Sequence, residues 1–353
     1  MSTKNDIRHL WREAFGDSEE YLDMYFDRIY RESDALTLES DGRLVSTVLM
    51  QDYNLWFHSR EVPVAYIAGV TTRRAARGHG HAMALVNKAL KLAHHNGKML
   101  CAIIPAHDWL YYFFDRFGFS PVFLTDSQRF TSLHAFATAG EYETVADPYS
   151  DTVFSAFEEF ERERPGGILH NRRDFINILD DLSFKPDGTF VAVSRADMPV
   201  AAMAWAQGQG DILQINEVLG TDADARRGAM KALREKFPNR PFRYLAPADT
   251  PEHRHLYPRG MARITDALQC LTVIAESHPN FKCSVRVHDP LIEENNRTFI
   301  IDKGECRTSE DNPDRLDFDV SIDVLTRIVF SSPATGDILG FPSERTHISL
   351  MPH

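Results

Sequence analysis

An apolar run over residues 62–70 passes without interruption into Thr71-Thr72-Arg73-Arg74-Ala75-Ala76-Arg77-Gly78-His79-Gly80. Over 80–96, Met83, Leu85, Val86, Leu90 and Ala93 then recur at helical spacing. This strand, glycine loop and helix constrain the chain more than any other feature. Glycines let a backbone approach a ligand closely. The first amides of a helix have no intrahelical partner and sit at the positive end of its dipole. Such a mouth suits phosphate or pyrophosphate. Arg73, Arg74 and Arg77 flank it with no acid between them in the sequence, and guanidinium groups pair well with phosphate. The loop is not a Walker loop, since no Gly-Lys-Ser/Thr follows. It is not G-x-G-x-x-G either, because the glycines stop at Gly80.

The rest of the sequence reads as an α/β chain around this feature. Gly16 stops a first helix, and Asp17 or Ser18 can cap a second, in which Leu22, Tyr25, Phe26, Ile29 and Tyr30 form an apolar stripe. Glu20, Asp23 and Asp27 share another face, the pattern of a solvated acidic surface. Strands are predicted over 35–39 and 44–51 about Asp41-Gly42, then over 99–104, with a helix over 108–116 closed by Phe117-Gly118-Phe119. Gly97 is placed to end the helix of the glycine loop. After a polar break near 137–150 the order repeats: helices over 152–164 and 173–182, a hairpin at Ala196-Asp197, a strand over 212–219, and a helix over 225–237 capped by Asp224. The last segment reads differently, with a helix near 268–276, strands at 283–288, 298–302 and 316–322, and a helix near 324–330.

Bulk properties limit the partners. The 353 residues carry a formal net charge of −12, which argues against non-specific binding to nucleic acid or anionic membrane. No run approaches the roughly 18 apolar residues of a membrane span. The polar start Met1-Ser2-Thr3-Lys4-Asn5-Asp6 lacks a signal-peptide core, so a cytoplasmic location is expected. Cys101, Cys270, Cys283 and Cys306 form no CxxC pair, so neither a disulfide framework nor a structural zinc is expected. His79 and His81 are read as loop residues rather than ligands. His253 and His255 have strand-like spacing for two ligands but no third donor patterned nearby.

Arg77-Gly78-His79-Gly80-His81-Ala82 fits R-x-x-G-x-A, the pyrophosphate pattern of the GNAT acetyltransferases, and the first block resembles that superfamily throughout. Across most of its length the chain resembles the Eis (enhanced intracellular survival) family. Phe15-Gly16-Asp17 is similar to that family's Phe-x-Asp in the acceptor pocket. Ala68-Gly69-Val70 and the loop up to Met83 are similar to its cofactor site. Arg164-Pro165-Gly166-Gly167-Ile168-Leu169 is similar to its PGGLL element, and Met261-Ala262-Arg263-Ile264-Thr265-Asp266 to its join with the last domain. The resemblance implies tandem GNAT folds followed by a small sterol-carrier-protein-like α/β domain. The expected boundaries are 1–136 for a catalytic GNAT domain, 137–263 for a degenerate second one and 264–353 for the last.

The resemblance also implies a reaction. Acetyl-CoA, as co-substrate and without a metal, is expected to bind along Ala68, Gly69, Val70, Arg77, Gly78, His79, Gly80, His81 and Ala82. The acceptor is expected to be a primary amine on a small cationic molecule, aminoglycoside-like or polyamine-like, or on a lysine side chain. Phe15, Asp17, Tyr25 and Phe26 are expected to bind it, with Asp17, Glu20 and Asp23 near the entrance attracting its charge. An amine of pKa near 10.4 must lose a proton before attack. The family's base is the last carboxylate, here that of His353, delivered by a docked tail. Its acid is a tyrosine at the position held here by Phe114, which has no proton to give. Tyr111, one helical turn earlier, is the candidate substitute, whereas Tyr112 points elsewhere. The resemblance allows a homo-oligomer. The alternative is a non-catalytic protein that binds acetyl-CoA, or lipid through the last domain.

Overall fold

The computed structural model describes residues 4–248, 256–309 and 316–352. They form two compact units, one of residues 1–123 and 258–346, the other of residues 124–257 and 347–353. The sequence read in order suggests three segments. The chain groups into two because most of the last segment packs with the first, while the final residues belong to the second unit.

In the first unit, helix α1 (Lys4–Phe15) stops at Gly16, whose φ is 71°. Ser18 caps α2 (Glu19–Met24) by accepting from the Tyr21 N–H at 3.2 Å. The predicted helix then widens into a π-helical turn over Tyr25–Ile29, with Tyr30 N donating to Tyr25 O at 2.8 Å. Strands β1 (Ala35–Ser40) and β2 (Arg43–Phe57) flank the Asp41-Gly42 turn. Strand β3 (Arg60–Thr72) pairs antiparallel with β2. This hairpin is longer than the apolar runs predict. Asp52 and Asn54 face outward while Gln51, Tyr53 and Leu55 are buried, an alternation that polar residues disguise. Its tip, His58-Ser59, takes φ of 45° and 61°.

Helix α3 (His81–His95) follows β3, and Gly97 closes it at φ 70°, with Lys98 N donating to Ala93 O at 2.9 Å. Strand β4 (Leu100–Ile103) runs parallel to β3, and α4 (Trp109–Asp115) leads to β5 (Ser120–Phe130), which begins in the first unit and continues in the second. Val48, Ile67, Leu85, Val86, Leu90, Ile103, Phe114 and Phe119 form the core beneath α3.

The second unit comprises β6 (Glu143–Thr144), α5 (Asp151–Glu163), β7 (Ile168–Leu169), α6 (Arg172–Leu182), β8 (Thr189–Arg195), β9 (Met198–Gln209), β10 (Ile212–Gly220), α7 (Ala223–Lys236) and β11 (Phe242–Pro247). The cap of α7 is Asp222, not Asp224: the Asp222 carboxylate accepts from Ala225 N at 2.7 Å. Asp224 instead accepts from the Ala139 and Gly140 amides and from the Tyr142 hydroxyl.

The two units share one motif. In the first, β2 pairs with a bulged β3, α3 follows, and β4 lies parallel to β3. In the second, β9 pairs with a bulged β10, α7 follows, and β11 lies parallel to β10.

Strand β12 (Leu256–Ile264) enters the first unit at Pro258 and there pairs antiparallel with β4, giving the order β1-β2-β3-β4-β12. Helix α8 (Ala267–Ser277), strands β13 (Cys283–His288), β14 (Thr298–Asp302), β15 (Glu305–Ser309) and β16 (Phe318–Ser321), and helices α9 (Ile322–Val329) and α10 (Pro333–Leu339) complete it. These strands form a separate sheet in the order β15-β14-β13-β16. Arg263 ties this part down. Its guanidinium is buried, donating to Asp289 at 2.6 Å and to Phe117 O at 2.7 Å. Gly118, at φ 78°, has room for no side chain, since a β-carbon would lie 2.9 Å from Ile322 and 3.2 Å from Arg263 Nε.

Candidate acyl-coenzyme site

The site starts with a bulge. Leu49 faces Ala68 and Thr47 faces Thr71, so Gly69 and Val70 together oppose Val48. Gly69 takes φ 56°, a conformation that strains any residue with a β-carbon. The parallel ladder between β3 and β4 covers only Val64–Leu100 to Tyr66–Ala102, and β3 continues beyond it to Thr72. Thus the strand leaves its parallel neighbour just before the bulge.

The loop then turns toward α3. Arg74–Ala76 form a single 3-10 turn, Gly78 has φ 84°, and Gly80 is the N-cap at φ 80°. A β-carbon on Gly78 or Gly80 would meet nothing within 4 Å, so backbone conformation rather than crowding selects glycine at both. No side chain caps α3. The amides of its first turn are left for another acceptor, and the helix dipole adds partial positive charge. The predicted loop residues Arg77, Gly78, His79, Gly80, His81 and Ala82 therefore stand together at one mouth, with Ala68, Gly69 and Val70 on the strand that feeds it.

The arginines are less free than the sequence suggests. Glu13 of α1 approaches Arg73 at 3.7 Å and accepts from Arg74 N at 3.0 Å. Arg73 Nε also donates to Leu44 O, and Arg77 Nε to Thr72 O at 3.1 Å, which holds the loop in shape. The His79 and His81 rings stack 5.9 Å apart, His79 exposed and His81 partly buried, with His79 Nδ1 3.1 Å from Arg77 O. Among the described residues no group of three or more His, Cys, Asp or Glu could hold a metal ion. His253 and His255 lie outside the described residues.

On the expected acceptor side, Trp11 of α1 is the residue the sequence does not single out. Its ring covers Gly69, and its indole N–H donates to Asp17 at 2.8 Å. Phe15 packs on Trp11 at 5.0 Å between centroids and remains 41% exposed. Tyr25 and Phe26, expected to bind the acceptor, are instead buried beneath, at 0% and 2% exposure. The π-helical turn directs both rings inward against Trp11, and Tyr25 Oη accepts from Gln51 Nε2 at 3.1 Å. The acidic entrance is also altered. Arg8 pairs with Asp23 at 2.6 Å and with Glu19 at 2.9 Å, so Asp23 is already compensated, while Glu20 is exposed.

Of the expected catalytic groups, Phe114 is a core residue, 2% exposed and packed on Phe113 and Phe119. Tyr112 points outward at 79% exposure. Tyr111 is half-buried, and its hydroxyl donates to Pro258 O at 2.9 Å. Burial first, and then the nearby Asp108 carboxylate, push its pKa up to about 12. His353 lies outside the described residues. Among the residues before it, which belong to the second unit, Ile348 is fully buried and Met351 is 5% exposed.

Residues 2–122 match the model of the acetyltransferase (GNAT) domain. No curated protein matches the sequence. Among solved structures, a probable N-acyltransferase from Enterococcus faecalis shares the fold at a TM-score of 0.77 and 17% identity, over 95% of this chain and 90% of that one. Eis1 from Mycobacterium abscessus does so at 0.73 and 13%, over 97% and 92%. A GCN5-related N-acetyltransferase from Anabaena variabilis does so at 0.74 and 16%, over 95% and 90%. At these identities the likeness is one of fold, and it spans both α/β repeats. The bulged strand, the glycine loop and the uncapped helix all lie within the matched segment, so the site described above belongs to a GNAT-type acetyltransferase domain over residues 2–122.

Proposed function

We propose that the protein transfers an acetyl group from acetyl-CoA to a primary amine, on a small cationic molecule or a lysine side chain, by direct attack. The observation that carries this reading is Gly80, a left-handed N-cap without a side-chain cap at the end of the bulged strand. It leaves the first amides of α3 for a diphosphate, where the equivalent helix of the second unit spends one on Asp222. The Gly78 and Gly80 faces are open, so a coenzyme can approach the backbone there. Arg73, Arg74 and Arg77 add charge at the rim. Strand residues 68–70 lie beside the acyl group in this reading, and backbone amides there stabilise the oxyanion formed on attack.

Attack needs a neutral amine, and the terminal carboxylate of His353 is the proposed base. The amine nitrogen bonds to the acetyl carbon as the carbon–sulfur bond breaks, and the departing thiolate takes a proton. Tyr111 can supply that proton only by giving up its bond to Pro258 O. Phe15 and Asp17 are the proposed acceptor contacts, with Tyr25 and Phe26 supporting them from below. The proposed domain division remains a catalytic first GNAT domain, a degenerate second and a third, sterol-carrier-like segment.

The test is release of free CoA thiol from acetyl-CoA with a panel of polyamines, aminoglycosides and lysine peptides, alongside calorimetry with acetyl-CoA alone. Binding with amine-dependent thiol release is expected. Binding without turnover on any amine would favour a non-catalytic acyl-coenzyme protein. No binding at all would end the reading.

A further inference from the structure

The second unit carries the same bulged strand as the first, but it fills the bulge differently. Ile215 faces Ala206 and Glu217 faces Trp205, so one extra residue, Asn216, is accommodated in β10. The residue at the end of this bulge is a glutamate with no exposure at all. A buried carboxylate is costly unless fully paired. Glu217 is paired on every side. Its Oε1 accepts from Val218 N at 3.0 Å. Its Oε2 lies 2.8 Å from Arg164 and 3.1 Å from His347 Nε2, and accepts from the Ser349 hydroxyl at 2.5 Å. Burial alone would raise the Glu217 carboxyl; Arg164, then His347 and Ser349, reverse this and hold it well below the usual carboxylate range.

Two of those partners belong to the last residues of the chain. The backbone grips them too: His347 N donates to Gly166 O at 2.7 Å, and Ile168 N donates to His347 O at 3.3 Å. The Pro165-Gly166-Gly167 turn and the tail thus form a short parallel bridge. Beyond it, Ile348, Ser349 and Met351 are buried. Leu350 takes φ 56°, a conformation that a leucine holds only when its surroundings over-determine it. A frayed terminus would show none of this. Where the first unit offers its bulge to a ligand, the second grips the chain's own end.

We propose that Glu217 is a positioning residue: with Arg164 and the Pro165-Gly166-Gly167 turn it fixes residues 347–352, and so fixes where the terminal carboxylate is presented. This rests on the reading of that carboxylate as the catalytic base. Glu217 touches no substrate. It acts through the tail, whose backbone turns at Leu350, φ 56°, within the clamp.

The experiment compares the full chain with Glu217→Gln, Ser349→Ala and a chain ending at Pro352. Amide hydrogen exchange of the 347–352 peptide is read beside kcat and the KM for acetyl-CoA. Ser349→Ala removes one bond to the carboxylate without unpairing a buried charge, so it keeps the test open if Glu217→Gln does not fold. Exchange of the tail is expected to rise roughly tenfold or more in both variants, the effect of losing a hydrogen bond to a charged group. The kcat should fall with KM for acetyl-CoA unchanged, and added acetate or formate should restore part of it. Unchanged tail exchange in both variants overturns the proposal. So does a loosened tail with full kcat while the shortened chain is impaired. If the shortened chain keeps full kcat, the assignment of the base fails, and the clamp then stands or falls on the exchange alone.

Discussion

The ring of Trp11 lies across Gly69 so closely that a β-carbon there would come within 2.3 Å of Trp11 Cζ3. The same indole donates its N–H to Asp17 at 2.8 Å. One side chain therefore joins the proposed acceptor contact to the bulge that opens the acyl-coenzyme site.

Gly69→Ala combines a strained φ with a steric clash, so it is expected to push Trp11 aside. Stability should fall by about 2–4 kcal/mol, from backbone strain plus overpacking. KM for the amine should rise as the Trp11–Asp17 bond is lost. Chemical denaturation and steady-state kinetics check this; a melting point and amine KM equal to the parent's would disprove the coupling.

Gly80→Val places a β-branched residue at φ 80°, where only the backbone and no neighbour selects glycine. The mouth of α3 must deform to relieve it. Acetyl-CoA affinity is expected to drop about tenfold or more, with thermal stability reduced by about 1–3 kcal/mol. Calorimetric titration reads the first and thermal unfolding the second. Unaltered affinity would move the diphosphate elsewhere.

Tyr111→Phe removes the bond to Pro258 O. If that bond is the hydroxyl's whole task, stability falls by about 1 kcal/mol and kcat by less than about tenfold. A loss on the order of 100-fold in kcat, with KM unchanged, is what an acid role predicts. With its pKa pushed up to about 12, Tyr111 stays protonated through neutral pH, so no loss of activity on the alkaline side should trace to it below about pH 11.

His58, at the tip of the β2–β3 hairpin, lies 3.1 Å from His278. Burial, then the His278 ring, lower its pKa to about 4. The unfolded chain takes up this proton near pH 6.5 and the folded chain does not. The stability contribution is therefore complete above pH 6.5 and lost as pH falls toward about 4. His58→Asn tolerates the positive φ and should flatten the acid side of a plot of melting temperature against pH between about 6.5 and 4. An unchanged slope would refute the assignment.

The strand–loop–helix from 62 to 96 is legible in the sequence because its signals are local. Apolar period, glycine position and Gly97 as a stop each act within a few residues, and α3 falls within one residue of its predicted bounds. The caps of α1 and α2, the repeat of the motif after residue 150 and the outward face of Tyr112 are local in the same way. The alternation hidden by Asp52 and Asn54 is weaker, so the length of the long hairpin is not read from it.

Tertiary structure decided what depends on partners distant in sequence. Trp11 reads as one apolar position of a helix until Gly69, far along the chain, proves to lie under it. Tyr25 and Phe26 have the right chemistry for a pocket wall, but the π-helical turn sends them into the core. Glu217 reads as an ordinary strand glutamate. Its burial is affordable only because Arg164, His347 and Ser349 converge on it, and no periodicity records a convergence of charges brought together by folding.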